Sequence, residues 1–237
     1  ILRALIKMDR KRVLSYKINQ VSFERLAMYP KEPRKSADYP DVDSMDLPLA
    51  SIFLGNLEAF RLLNSQLPAN DGSLHLTALL ALPEFVQLLL RTHDPNFAND
   101  TYDFQIPLAV ACRAEPSPWC KIANKKSTFR ARRRRTMQVL ALETNLEWRS
   151  SQQQTILHIA IETGVDVTED MIHALDIQNK PYRVSRFTYH DKGGREFSLQ
   201  EYITELVRVN EDKKQALLSC LSESGLIQCR SRTPFLE

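Results

Sequence analysis

Glycine is scarce: the chain of 237 residues holds six. Two are adjacent, Gly193-Gly194, whereas a phosphate cradle needs several spaced glycines between a strand and a helix. That pair is therefore expected to reverse a loop rather than to hold a phosphate. Cysteine is also sparse, and Cys112, Cys120, Cys220 and Cys229 include no C-x-x-C pair. In a chain of this size they read as reduced thiols of an intracellular protein. Cys112 and Cys120 lack the nearby His or Cys that would complete four zinc ligands, so no metal site is expected, and no cofactor. Nowhere does the sequence sustain the ~18 apolar residues of a membrane-spanning helix, and the start, residues 1–6, is too short and too basic for one. The G-x-x-x-x-G-K-[ST], H-E-x-x-H, G-x-S-x-G and kinase signatures are all missing. A formal charge of +3 is too small to imply nucleic-acid binding by itself. The chain does not begin with Met and is expected to be a piece of a longer protein.

What is present is a pattern of short helical segments in pairs. Leu74-His75-Leu76-Thr77-Ala78 is followed by Glu84-Phe85-Val86-Gln87-Leu88-Leu89-Leu90 and closed by Asp94-Pro95-Asn96. Further on, Thr155-Ile156-Leu157-His158-Ile159-Ala160 repeats the opening and leads to Gly164. Asp46-Leu47-Pro48-Leu49-Ala50-Ser51 leads to Gly55-Asn56-Leu57-Glu58, where a glycine permits the left-handed backbone between two helices. In the Leu74 copy Ala81-Leu82-Pro83-Glu84 stands in that place, with Pro83 suited to a first helical turn. Ile106-Pro107-Leu108-Ala109-Val110-Ala111 opens a further segment, and Phe197-Ser198-Leu199-Gln200-Glu201-Tyr202 another.

The T-P-L-H-x-A opening and the L-L-L…D-P-N close resemble the ankyrin repeat family. Aligned on the leucine of the opening, candidates fall at Leu49, Leu74, Leu108, Leu157 and Leu199, at intervals of 25, 34, 49 and 42 residues against a family period of ~33. The resemblance implies an all-α fold, an ankyrin-repeat solenoid of about five degenerate repeats with helical caps and irregular insertions. Residues 1–45 are expected to be an N-terminal cap or degenerate repeat plus linker. Residues 46–209 hold the repeats (46–70, 71–100, 101–147, 150–180 and 188–209), and 210–237 a capping helix and tail. Single repeats cannot hide their own apolar faces, so Leu62, Leu63, Leu88, Leu89, Val139, Leu140, Ile172 and Leu175 are expected to be covered by stacking. Three local expectations accompany this: a tight first helix before Gly55, a helix over 168–176 capped by Thr168, and a helix from Ser198 to about Val209.

The resemblance also implies the working parts. In the family the fourth residue of the opening is structural, its ring hydrogen-bonding to neighbouring loop backbone. His75 and His158 are therefore expected to be structural rather than catalytic bases, like the turn glycines Gly55 and Gly164. Projecting loop tips would hold a protein partner: Asn70, Asp71 and Gly72; Asn99, Asp100, Thr101, Tyr102 and Asp103; Arg149 to Gln153, including Gln152; and His190, Asp191 and onward to Gly193. Tyr102 and Arg149 are the first choices as anchors, since aromatic and arginine side chains dominate binding energies. Trp148 suits either an anchor or a core role.

One feature lies outside the repeat pattern. Lys125, Lys126, Arg130, Arg132, Arg133, Arg134 and Arg135 crowd into a basic insertion over 114–135 of the third repeat. Four roles compete for it: an import signal, a contact with nucleic acid or another anionic surface, a dock for an acidic protein, and a solvated loop without a partner. Together these features predict a non-enzymatic interaction module, intracellular and either cytoplasmic or nuclear. A nuclear or regulatory factor acting through the arginines is the alternative.

Overall fold

Short helices are economical where each buries one face against a neighbour, and the chain is mostly helical in this way. The computed structural model describes residues 47–64, 69, 71–117, 120, 126–175 and 187–227. The expected cap and linker over 1–45, Asn70, Lys125 and the last ten residues of the tail lie outside them. Two compact units divide the chain, residues 1–144 and 145–237. Among the described residues no helix is long and apolar enough to cross a membrane.

The first unit holds α1 (Leu47–Phe53), α2 (Leu57–Asn64), α3 (Ser73–Leu79), α4 (Pro83–Leu89), α5 (Pro107–Cys112) and α6 (Lys126–Ala141). Helices α1, α3 and α5 pack in succession, α3 lying between the other two, while α4 packs on α6. The α3 helix is buried along its whole length because it has neighbours on several sides. Phe60 of α2 meets Phe85 of α4 with ring centroids 5.3 Å apart, both rings fully buried. Leu63, Leu89, Val139 and Leu140 are buried as expected, whereas Leu62 and Leu88 are half-buried at the edge of the stripe.

The turns explain why α1–α2 and α3–α4 are alike. Gly55 adopts φ 66°, its N–H bonded to Ile52 O and that of Asn56 to Ser51 O, both at 2.8 Å. Ala81 takes the same left-handed conformation at φ 53°, with Ala81 N–H on Ala78 O and Leu82 N–H on Thr77 O at 3.1 and 3.0 Å. These paired bonds satisfy carbonyls that the end of a helix would leave orphaned. Asn56 Oδ1 then accepts from Ala59 N–H to cap α2, and Pro83 begins α4 where no amide hydrogen is needed. The expected tight first helix is corrected: α1 and α3 each have seven residues. Helix starts 47 and 73, and 57 and 83, all give a spacing of 26 rather than 25. Leu49 therefore corresponds to His75, not to Leu74.

The second unit holds α7 (Ile156–Thr163), α8 (Val165–Leu175), the antiparallel strands β1 (Tyr189–His190) and β2 (Glu196–Phe197), α9 (Leu199–Glu201) and α10 (Glu211–Glu223). Helix α8 packs against both α7 and α10, burying Ile172 and Leu175. Gly164 turns the chain in a single residue at φ 142°, ψ 172°, a conformation open almost only to glycine. That abrupt turn corrects the expected Thr168 cap. Helix α8 starts three residues earlier, and Thr168 Oγ1 donates back to Gly164 O at 2.9 Å from inside it. Gly164→Ala is expected to lower stability by about 1–3 kcal/mol from backbone strain alone, since nothing lies within 4 Å of the added methyl. Chemical denaturation of the intact chain would measure it.

The expected helix from Ser198 to about Val209 is also corrected. Ser198 caps α9 and Glu201 returns the bond to Ser198 N–H at 2.8 Å. The backbone then widens into a π turn over Tyr202–Leu206, closed by Val207 N–H on Tyr202 O at 3.1 Å. Tyr202 and Ile203, though adjacent, are thereby both buried. Gly225, at φ 75°, follows the end of α10.

Candidate functional site

The loop between α4 and α5 folds into a small hairpin over residues 99–105. Asn99 and Gln105 pair across it, Asn99 N–H on Gln105 O at 3.2 Å and Phe104 N–H on Asn99 O at 2.9 Å. His75, arriving from α3, ties the backbone just before the hairpin to the backbone at its end. Its Nε2 lies 3.1 Å from Phe97 O and 3.0 Å from Gln105 O. Carbonyl oxygens only accept, so Nε2 must carry the proton and donate to both. Burial holds the His75 ring below its ordinary pKa, the backbone of Gln105 and Phe97 pulling the other way. The ring thus pins loop backbone at two places.

Tyr102 corrects the first-choice anchor. It is only 5% exposed and stacks on the His75 ring at 5.1 Å with 18° between planes. A flat aromatic ring covers imidazole better than water does, so the tyrosine faces inward. Asn99 is buried too, its Oδ1 accepting from Thr101 N–H at 2.9 Å. Asp100 and Asp103 remain at the surface, Asp100 bonded to Thr101 N–H at 2.7 Å and Asp103 paired with Arg113 at 3.3 Å. Asp71 is exposed as well.

In the second unit Arg149 is likewise no free anchor. It is half-buried, and its Nη1 donates to Thr188 O at 2.7 Å and Gln153 O at 3.2 Å, tying its own turn down. Gln152 and Gln153 are exposed, Gln153 at φ 63°. Trp148 is half-buried. In the β1–β2 hairpin Asp191 is occupied by the turn, accepting from Gly193 and Arg195 N–H at 2.8 and 2.9 Å, while His190 is half-buried. The Gly193-Gly194 pair reverses this loop, with Gly194 at φ 80°.

His158 departs from the loop-binding role expected of it. Nδ1 accepts from the N–H and the hydroxyl of Thr155, at 3.2 and 2.7 Å, inside its own helix start. The proton therefore sits on Nε2, which has no hydrogen-bond partner among the described residues. The ring is enclosed by Tyr202 edge-on at 4.4 Å and by Tyr189 at 5.8 Å. Burial pushes His158 down to about 3, with the Arg149 charge adding to it. Beside it, Tyr202 Oη donates to Glu162 at 2.5 Å and accepts from Gln154 Nε2 at 3.0 Å. Burial first, then the Glu162 carboxylate, raises the Tyr202 phenol above its ordinary range. Sequence reasoning missed Gln154, Glu162 and Tyr202 because they come from three separate segments with no motif spacing.

From Lys126 onward the basic cluster is helix rather than loop, while Lys125 and the residues just before it lie outside the described residues. Its arginines lie along α6, and Arg132, Arg133 and Arg134 are half-buried while Arg130 and Arg135 are exposed. Arg132 bonds Thr128 Oγ1 at 2.9 Å and lies over the Phe129 ring at 5.5 Å. Helical periodicity sends consecutive residues to different faces, so a run of four arginines cannot present one uniform charged surface. Lys126 opens the helix.

Among the described residues no group of His, Cys, Asp and Glu is placed to hold a metal ion. Cys112, Cys120 and Cys220 form no disulfide. Burial pushes the Cys112 thiol up to about 12, which removes its thiolate at neutral pH. No protein-family model, curated protein or solved structure matches the chain.

Proposed function

We propose that the chain is a non-enzymatic protein–protein interaction module, a scaffold, adaptor or regulator, built on about five degenerate ankyrin-type repeats within a cytoplasmic or nuclear protein. The observation that carries this is the His75 pin. A histidine at the fourth position of the opening donates to loop backbone on either side of the following hairpin turn, at Phe97 and Gln105, which is the structural part the resemblance assigns to it. The succession of α1, α3 and α5 and the matched turns at Gly55 and Ala81 support the same reading. The two histidines that could serve as bases are buried and engaged in holding backbone, which favours binding over chemistry.

Each unit offers its own exposed loop residues to a partner, Asp71, Asp100 and Asp103 in the first and Gln152 and Gln153 in the second, with Tyr102 and Arg149 each holding its own loop in shape. Cross-linking capture by the intact chain is expected to recover a protein partner. Asp100→Lys together with Gln152→Lys should reduce that recovery several-fold. Capture of no protein by the parent chain would sink the module.

The exposed Arg130 and Arg135 on one helix favour a second reading, direct contact with nucleic acid or another anionic surface. Each phosphate neutralised adds about 0.9 to the salt slope, so Arg130→Ser with Arg135→Ser should lower that slope by up to about 2. Oligonucleotide affinity that hardly changes between low and moderate salt would end this reading.

A further inference from the structure

We propose that Phe104, with Phe97 on the same loop, is the anchor for a basic amphipathic helix of a partner protein; this rests on the interaction-module reading and names where and what it binds. The turn 102–105 is closed by Gln105 N–H on Tyr102 O at 3.0 Å, and both central residues are left-handed, Asp103 at φ 55° and Phe104 at φ 56°. That geometry strongly favours glycine at the second central position. A phenylalanine there strains its own backbone, and its ring stays 65% exposed. The folded chain thus gains neither an easy turn nor a buried ring from this residue.

Phe97 is the second apolar element and is 43% exposed. The two belong together, because His75 Nε2 touches Phe97 O and the carbonyl of Gln105, the residue after Phe104. Among the described residues four large apolar side chains are exposed, and two of them sit on this loop. On the loop between α4 and α5 three exposed carboxylates, Asp94, Asp100 and Asp103, stand against one exposed arginine, Arg91, so negative charge prevails. Arg113 offsets one of them, at 3.3 Å from Asp103. Two separated rings edged by negative charge complement apolar side chains repeated along one face and flanked by lysine or arginine, which an amphipathic basic helix supplies.

The test uses the intact chain with two defined probes, a leucine–lysine amphipathic helical peptide and its leucine–glutamate counterpart. The basic peptide is expected to shift the amide resonances of residues 97–105, with an affinity that weakens as salt rises. Phe104→Gly should weaken it at least tenfold. The same variant should melt no lower than the parent, because glycine relieves the left-handed turn, so loss of binding will not reflect unfolding. Asp100→Asn with Asp103→Asn should weaken the basic peptide several-fold. The assignment is overturned if the 97–105 resonances stay still, if Phe104→Gly binds as well as the parent, or if the acidic peptide binds equally. A natural protein captured equally by parent and Phe104→Gly would overturn this anchor and leave the interaction module standing. Capture of nothing by the parent would remove the module itself.

Discussion

Acidification is expected to destabilise the intact chain by ~3 kcal/mol between neutrality and about pH 4 through His158 alone. In the unfolded chain the imidazole takes up its proton near 6.5, whereas burial pushes it down to about 3 in the folded protein. The unfolded state therefore binds the extra proton first. Stability is whole above pH 6.5, declines as pH falls through the interval, and levels off below about 3. The cause is visible in the site: the protonated ring would hold a charge between Tyr189 and Tyr202, and its Nε2–H already lacks a partner among the described residues. His75 contributes in the same direction, since its pKa is also lowered by burial. Denaturant midpoints taken across this range would measure the slope. His158→Gln should flatten it, because an amide does not titrate. An unchanged slope in that variant would show that the ring is not the group responsible.

The second large effect is expected at the Phe60–Phe85 pair. Each ring is fully buried, and the two meet at a tilt of 49°. Phe60→Ala or Phe85→Ala should each cost about 3–5 kcal/mol, from the lost burial and the cavity left behind. Because each ring is part of the other's packing, the double substitution should cost less than the two singles added together. Urea unfolding of the intact chain provides all three values. Strict additivity would mean that the two rings, and through them α2 and α4, do not support one another.

The histidines were partly legible in the residues. His75 stood out by its place in the opening, and its hydrogen bonds into the next hairpin follow that expectation. His158 stood at the same place and bonded elsewhere. The reason is local: Thr155 offers an N–H and a hydroxyl within reach, whereas α3 begins after Gly72, which has no side chain to offer. Gly55 announced its turn, but Ala81 did not, because nothing about alanine signals a positive φ. There the hydrogen bonds at both ends of the turn and the buried leucines around it impose the conformation. Tyr102 and Phe104 show the same limit. Both are aromatic and nearly adjacent, and the sequence favoured the wrong one as the exposed ring.

Apolar periodicity and turn residues suffice, without coordinates, to predict short paired helices, and the family resemblance implies histidines that hold backbone. Those properties depend on neighbours in the chain, and spacing along the chain records them. Tertiary structure alone decided which side chains face water: Tyr102 beneath its hairpin, Arg149 across to Thr188, the arginines divided around α6, and Phe104 left outside. Exposure depends on what arrives from distant segments, and no local pattern of residues encodes that arrival.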